Sequence, residues 1–129
     1  MKYEFAEDIQ KKAEEISKIL FPHIRLERVK CFRSYGTNSR RTVARCHSIG
    51  KLLQKALDVK PFYVLEFISE RFDKLSEEEK TKVIIHELMH IPKNFGGGFR
   101  HHDHVCSKNI EKNFKIYKKT KNEREENFS

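Results

Sequence analysis

Two histidines four residues apart, His86 and His90, enclose Glu87 in an H-E-x-x-H pattern. On a helix, residues four apart share a face, so both imidazoles can reach one metal ion. Glu87 is then placed to reach a water on that metal rather than the metal itself. In this chemistry zinc lowers the pKa of its water, and a carboxylate takes the proton as the water attacks a carbonyl. The pattern predicts a zinc hydrolase with His86 and His90 as ligands and Glu87 as general base.

A catalytic zinc site takes three protein ligands and keeps one position open. Three histidines follow the motif within a short stretch: His101, His102 and His104. We predict a flexible loop over residues 93–100, which precede these histidines. Its glycines, Gly96–Gly98, let the chain turn back to the site. A metzincin would have its third histidine at position 96, which is a glycine, so that class is excluded. Glu111 is the alternative third ligand, and the nearer histidine cluster is favoured over it.

The motif lies in a well-marked helix, which we predict over residues 76–91. Ser76 and Glu79 form a capping-box pattern at its start. Pro92 cannot continue the helix, so it must end just before that residue. The two histidines therefore fall in its last turns, close to the loop that carries the third-ligand candidates.

The preceding segments are typical of a small sheet. Residues 62–68 (FYVLEFI) are dense in aromatic and branched side chains, which favours a strand. Residues 24–33 alternate imperfectly, residues 34–39 are rich in turn formers, and residues 41–47 can return as a partner strand, so we predict a hairpin. Residues 49–57 indicate a short helix or an irregular segment.

Helices are predicted at both ends of the chain. Residues 3–20 place apolar side chains at helical spacing, and residues 103–118 do the same. Residues 119–129 are polar and predict a frayed or flexible tail. The fold class is therefore α+β: an N-terminal helix, a small mixed or antiparallel sheet, the motif helix and a C-terminal helix. We expect one domain over residues 1–118.

Composition narrows the class of protein. The chain has 129 residues, of which 37% are apolar and 36% charged, enough for one modest core. No apolar stretch approaches the roughly 20 residues of a transmembrane helix, and the N-terminus lacks the apolar run of a signal peptide. The three cysteines are an odd number and are not closely spaced, which suits a reducing compartment better than a set of disulfides. We therefore expect a cytoplasmic protein that does not associate with a membrane.

The formal net charge of +8 is unevenly spread. Residues 25–45 hold seven basic side chains and one acidic side chain, a net charge of +6. Such a segment is compatible with nucleic acid or another polyanion, and equally with a solvated basic surface. A zinc finger built on Cys46, His47 and Cys106 receives little weight, because no C-x-x-C pair exists.

Over about residues 24–117, and most specifically over 62–104, the chain resembles the zincin-like metallopeptidases found in archaea and phages. The shared features are a strand ending in Ile-Ser-Glu, then Phe-Asp-x-Leu-Ser, H-E-L-x-H-I-P and Arg-x-His-Asp. Residues 44–49 fit the segment that precedes that strand in this family. More distantly, the chain is similar to the SprT-like proteases. The resemblance implies a minimal zincin-like fold and peptide-bond hydrolysis.

The resemblance also implies the third zinc ligand, and residue chemistry gives candidates for supporting roles. Matching Arg-x-His-Asp to residues 100–103 implies that His102 is the third zinc ligand, with His104 and His101 next in order. Asp103 would either orient a ligand histidine or cap the last helix. Candidates to stabilise the developing oxyanion are Arg100, His104 and Tyr35, although ordinary surface roles are favoured for all three.

In the zincins, an edge strand pairs with an extended peptide substrate, and the strand 62–68 resembles it. A plain core strand is the competing interpretation.

Two functions from different classes follow. The first is a zinc metalloendopeptidase acting on protein or peptide substrates, with one zinc per chain. The second is a basic nucleic-acid-binding module with a structural zinc, binding through residues 25–45. A protease recruited to DNA, by analogy with SprT-like proteins, combines the two.

Overall fold

The computed structural model describes residues 1–101 and 103–128, and this part of the chain forms four strands and five α-helices. In chain order the elements are β1 (Lys2–Phe5), α1 (Glu7–Leu20), β2 (Val29–Tyr35), β3 (Ala44–Ser48), α2 (Lys51–Leu57), β4 (Tyr63–Ile68), α3 (Ser69–Phe72), α4 (Glu77–Met89) and α5 (Ser107–Phe128), with a short 3-10 turn at Leu26–Arg28 before β2. The α+β class, the mixed sheet and the two terminal helices are confirmed.

The four strands form one sheet in the order β1-β2-β4-β3. Strands β2 and β4 are parallel, whereas the two outer pairs are antiparallel. The predicted hairpin is therefore wrong, because β4 lies between its two supposed partners. The pairing of residues 62–68 with a substrate as an edge strand is wrong for the same reason. The edge next to β4 is β3.

The burial of β4 explains its central place. Leu65, Phe67 and Ile68 are fully buried, although successive side chains of a strand point to opposite faces. A run that is apolar on both faces is typical of a strand covered on both sides and paired at both edges. Strand β1 was not predicted, because Phe5 continues the apolar spacing of α1. Instead Phe5 packs edge-on against Phe32 of β2.

The core lies between one face of the sheet and the helices α1, α4 and α5. The register places Cys31, Leu65 and Cys46 side by side on this face, and all three belong to the same apolar cluster as Ile16 and Ile85. The opposite face carries Glu66 and Phe32. One face of the sheet therefore supports the helix that holds the motif.

Helix α4 begins as predicted. The Ser76 side chain accepts from Glu79 N, and the Glu79 carboxylate accepts from Ser76 N, so the capping box is confirmed. His90 is the C-cap.

Helix α5 differs at both ends from the predicted 103–118. It starts at Ser107, which rules out Asp103 as its N-cap, and it continues to Phe128 through the segment expected to be frayed. In the added segment, Lys121 Nζ lies 3.4 Å from a Glu15 carboxylate oxygen of α1.

Candidate metal centre

Helix α4 brings together the three motif side chains. His86, Glu87 and His90 each offer a donor atom, and these atoms lie within 4.8 Å of one another. The two imidazole rings meet edge to face with centroids 5.1 Å apart. Two imidazole nitrogens at this spacing fit two of the three protein ligands of a catalytic zinc site, and the carboxylate of Glu87 lies next to them. Among the described residues, these three form the group that could hold a metal.

The orientation of His90 is set by the loop that follows it. His90 Nδ1 lies 2.8 Å from the Arg100 carbonyl oxygen, and Arg100 N donates to the His90 carbonyl oxygen at 2.7 Å. A carbonyl oxygen can only accept, so Nδ1 carries the hydrogen, and the lone pair of the neutral ring is on Nε2. Metal-binding histidines are usually oriented by such a bond from the second ring nitrogen.

The glycine loop is held in place by hydrogen bonds rather than being the flexible segment we expected. Ser48 Oγ donates to Gly97 O at 2.7 Å, and Gln54 Nε2 donates to Gly96 O at 3.0 Å. Tyr63 OH donates to Gly98 O at 2.8 Å and accepts from Gly97 N at 2.9 Å.

The backbone at the centre of the loop requires glycine. Gly97 has a φ of 102°, and a Cβ there would overlap the Ile49 carbonyl and the Gln54 amide. Residues from β3, α2 and β4 therefore fix the approach of Arg100 to His90.

Glu87 is the least exposed of the three motif residues, at 6%. Burial raises the pKa of its carboxyl group to about 7. One carboxylate oxygen lies 3.8 Å from His86 Nε2. Glu87 also lines a cleft between α4 and the start of β3, together with His86, Val43 and Ala44. A group that titrates near neutral pH beside a cleft is suited to proton transfer.

Strand β3 presents backbone groups to this cleft. Ile68 N donates to Val43 O, and Ile49 N donates to Phe62 O. In an antiparallel pair, alternate residues direct their backbone groups to the partner strand. The even-numbered residues Ala44 and Cys46 therefore direct their N–H and C=O groups away from β4. Among the described residues no strand lies beyond β3 in the sheet order, so this edge can accept an extended chain.

The candidates for the third zinc ligand lie in different surroundings. His102 lies outside the described residues, so its predicted role remains a prediction. His101 is exposed. His104 lines a different cavity, with His23, Met89 and the Arg100 side chain. The alternative ligand Glu111 binds Lys82 Nζ at 2.7 Å.

Other predicted site residues lie apart from the cleft. Asp103 accepts from His104 N through its side chain. Tyr35 pairs with Lys2 at the β1 edge of the sheet and does not line the cleft. Its role as an oxyanion donor finds no support in this placement.

The basic segment 25–45 is dispersed by the fold. It contributes the 3-10 turn, β2 and the start of β3, so its side chains point in different directions. Arg33 binds both Asp8 and Asp73, and Arg45 lies 3.6 Å from Glu66. Only part of the net +6 is therefore available to a polyanion.

The residues that position the glycine loop were not predicted from the sequence. Gln54 lies in a short helix and Tyr63 begins a core strand, and neither forms a motif with the histidines. The sequence offered one signal for this loop, the three consecutive glycines Gly96–Gly98. Such a run favours a backbone with positive φ, as Gly97 has.

Comparison with known families gives a match over nearly the whole chain. Residues 1–123 match the family model described as "Putative phage metallopeptidase". Comparisons with curated proteins and with solved structures gave no match. The helices formed by the described residues include none long and apolar enough to cross a membrane.

Proposed function

The chain belongs to the phage metallopeptidase family, and we propose that it is a zinc-dependent endopeptidase in which His86 and His90 bind the metal and Glu87 is the general base. The observation that carries this proposal is the grouping of the three side chains within 4.8 Å, beside β3, which lies at one edge of the sheet formed by the described residues. Family membership implies a metal and a protein substrate.

The donor set supports zinc as the metal. His90 is oriented through Nδ1, and two imidazoles with one further ligand make a typical catalytic zinc site. We assign the third position to His102, because it occupies the histidine position of the family pattern Arg-x-His-Asp. A zinc ion held there supplies Lewis-acid chemistry, which polarises the substrate carbonyl and acidifies water.

Glu87 handles the proton. Its carboxylate accepts a proton from the attacking water and then passes it to the nitrogen of the leaving amine. Burial of Glu87 limits competing solvent around the carboxylate. The free edge of β3 binds the substrate backbone, with Ala44 and Cys46 as the residues whose N–H and C=O groups face it. Binding through the backbone explains how a small enzyme can accept extended segments of many sequences.

The cellular setting is proposed on the cysteines. Cys31, Cys46 and Cys106 are all free thiols, and burial raises the pKa of the Cys31 thiol to about 12. Unpaired thiols are typical of a reducing compartment, so we place the enzyme in the cytoplasm.

The test is metal binding combined with hydrolysis. Purified protein reconstituted with zinc should hold about one zinc per chain by elemental analysis and should cleave an unfolded protein substrate. His86→Ala should lose the zinc and the activity. His47→Ala is the matched control, because His47 lies on β3 and bonds with Glu66 outside the motif. Single alanine substitutions at His101, His102 and His104 identify the third ligand, and we expect zinc loss only for His102→Ala. Wild-type protein that binds no zinc after reconstitution would contradict the proposal.

Nucleic-acid binding remains a second candidate function. It is favoured by Arg40 and Arg41, which are exposed directly before the cleft residues Thr42 and Val43. Affinity for single- or double-stranded DNA should fall steeply with salt if phosphate contacts carry it. Cleavage that rises on addition of DNA would support a protease recruited to DNA, and cleavage indifferent to DNA would contradict it.

A further inference from the structure

The cleft that Glu87 lines contains a cavity of about 340 Å³. Helix α4 forms one wall, the start of β3 forms the opposite wall, and α5 contributes Ile110. The volume lies at the lower end of the range for ligand pockets, so the cavity has room for one large side chain. Since it adjoins the proposed general base, whatever enters it lies next to the reacting bond.

The walls of this cavity are mainly apolar. Val43 and Ala44 come from the strand side, Val83 from α4 and Ile110 from α5. Removing an apolar side chain from water into such a site is favourable. A charged substrate side chain would lose its hydration there without a compensating partner.

Lys82 is the cation at the cavity, and its ammonium group is already paired with acidic residues of this chain. Its Nζ lies 2.7 Å from a Glu111 carboxylate oxygen and 3.6 Å from a Glu78 carboxylate oxygen. It also lies over the Phe114 ring, 4.9 Å from the centroid. An acidic substrate side chain would have to displace these partners. Lys82 therefore does not make the cavity selective for acidic residues.

The geometry of strand addition directs a side chain into this cavity. A peptide paired with the β3 edge continues the sheet, so its side chains alternate between the two faces. Those on the same face as Ala44 and Cys46 lie on the side of α4. One of them can therefore enter the space between β3 and α4 beside Glu87.

We propose that this cavity is a specificity pocket that selects a large apolar side chain at a position flanking the cleaved bond. The inference rests on the proposed function, because it concerns the substrate of the same site. It narrows the substrate class from any unfolded protein to segments with leucine-like or phenylalanine-like residues at that position.

The test uses a series of quenched-fluorescence peptides that differ at one position on either side of the cleaved bond. For one of the two positions, leucine and phenylalanine should exceed alanine by about 10-fold or more in kcat/KM, and aspartate should be poorer still. Binding of the same peptides to zinc-loaded Glu87→Gln, measured by anisotropy, should follow the same order. This second readout does not depend on turnover.

Pocket variants test which residues select the side chain. Ala44→Leu should fill the cavity and shift the preference towards alanine, whereas Val83→Ala should enlarge it and favour phenylalanine over leucine. Ile110→Ala should also broaden the preference. Its matched control is Ile116→Ala on the same helix, where the side chain is 45% exposed and away from the cavity; this variant should leave the preference unchanged.

The outcomes separate the two proposals. Cleavage with equal rates for leucine, alanine and aspartate at both positions would overturn the pocket and leave the peptidase intact. A preference that neither Ala44→Leu nor Val83→Ala moves would also overturn it. Selective binding of leucine peptides without hydrolysis by the wild type would overturn the proposed function and support the pocket. Neither binding preference nor hydrolysis would overturn both.

Discussion

Two glutamates are buried to almost the same degree, Glu66 at 5% and Glu87 at 6% exposure, yet their surroundings differ. Glu66 lies on β4, on the sheet face away from the helices, 2.8 Å from His47 Nε2 and 3.6 Å from Arg45 Nη1. Burial would raise its pKa, but the nearby Ser34 hydroxyl and these two partners together lower it. Glu87 lies on α4 beside the cleft, and burial raises its pKa to about 7.

This contrast separates a carboxylate paired within the fold from one whose surroundings suit the proposed proton transfer. At Glu66 the desolvation cost is offset by the Ser34 hydroxyl, the His47 ring and the Arg45 guanidinium, so the charged form belongs to the stable fold. At Glu87 burial dominates, and the carboxyl group is held beside two histidines in a position where it can exchange a proton. Burial alone would not have distinguished them; the neighbours do.

The largest expected effect is on catalysis. Glu87→Gln should retain zinc and the fold but lose peptide hydrolysis by about 10²–10⁴-fold, because glutamine cannot accept the proton. Glu66→Gln, the same change at the other buried glutamate, should keep hydrolysis close to wild type. Rates on one quenched peptide, with zinc content measured in parallel, check both. A catalytic loss of similar size in Glu66→Gln would erase the distinction.

The second effect is on metal affinity. Tyr63→Phe removes the hydroxyl that holds Gly97 and Gly98, and the position of the Arg100 carbonyl at His90 depends on that loop. Loss of a group that orients a metal ligand typically costs about 10–100-fold in affinity, so we expect about 10-fold weaker zinc binding in a chelator competition assay. Tyr3→Phe, at an exposed tyrosine of β1, is the control. Unchanged zinc affinity in Tyr63→Phe would show that the loop does not orient His90.

The third effect concerns the two edges of the sheet. Cys46→Pro removes an N–H that faces the open side of β3, which should lower kcat/KM for extended peptides by about 5-fold, the equivalent of one hydrogen bond of about 1 kcal/mol. Cys46→Ala separates the loss of this N–H from the loss of the thiol.

The control lies at the other edge of the sheet. There Ala6 N donates to Cys31 O, so by alternation Tyr3 N–H also faces outward. Tyr3→Pro should leave hydrolysis unchanged, and equal losses at both edges would argue against substrate pairing with β3.

Much of the candidate site could be predicted from the sequence because it depends on local periodicity. The capping residue Ser76, the breaker Pro92 and the i, i+4 spacing of His86 and His90 all act within one helix. The strand order depends instead on contacts between distant segments. Nothing local shows that β4 inserts between β2 and β3, so residues 62–68 were predicted to be an edge strand although β3 lies at that edge.

The neighbours of the two glutamates were equally hidden. Glu66 appears in the sequence as one polar residue in an apolar strand, and its pairing with His47 requires the β3–β4 register. The clamp on the glycine loop has the same character, since Gln54 and Tyr63 reach Gly96–Gly98 only through the tertiary fold. Such positioning residues carry no motif, because their role is set by where the chain returns.

The smallest effect tests the comparison through stability and pH. Because the folded pKa of Glu66 is lowered, its ionised form stabilises the protein above the ordinary carboxyl pKa of 4.5, and this contribution is lost as the pH falls through the folded pKa. Glu66→Gln should therefore lower the free energy of unfolding by about 1 kcal/mol at pH 7, with the difference from wild type shrinking below pH 4.5. Glu87→Gln should have the opposite sign without metal, since it removes the cost of burying a charge. Urea unfolding in the presence of a chelator at pH 7 and at acid pH measures both differences, and a destabilised Glu87→Gln would place Glu87 in the same structural class as Glu66.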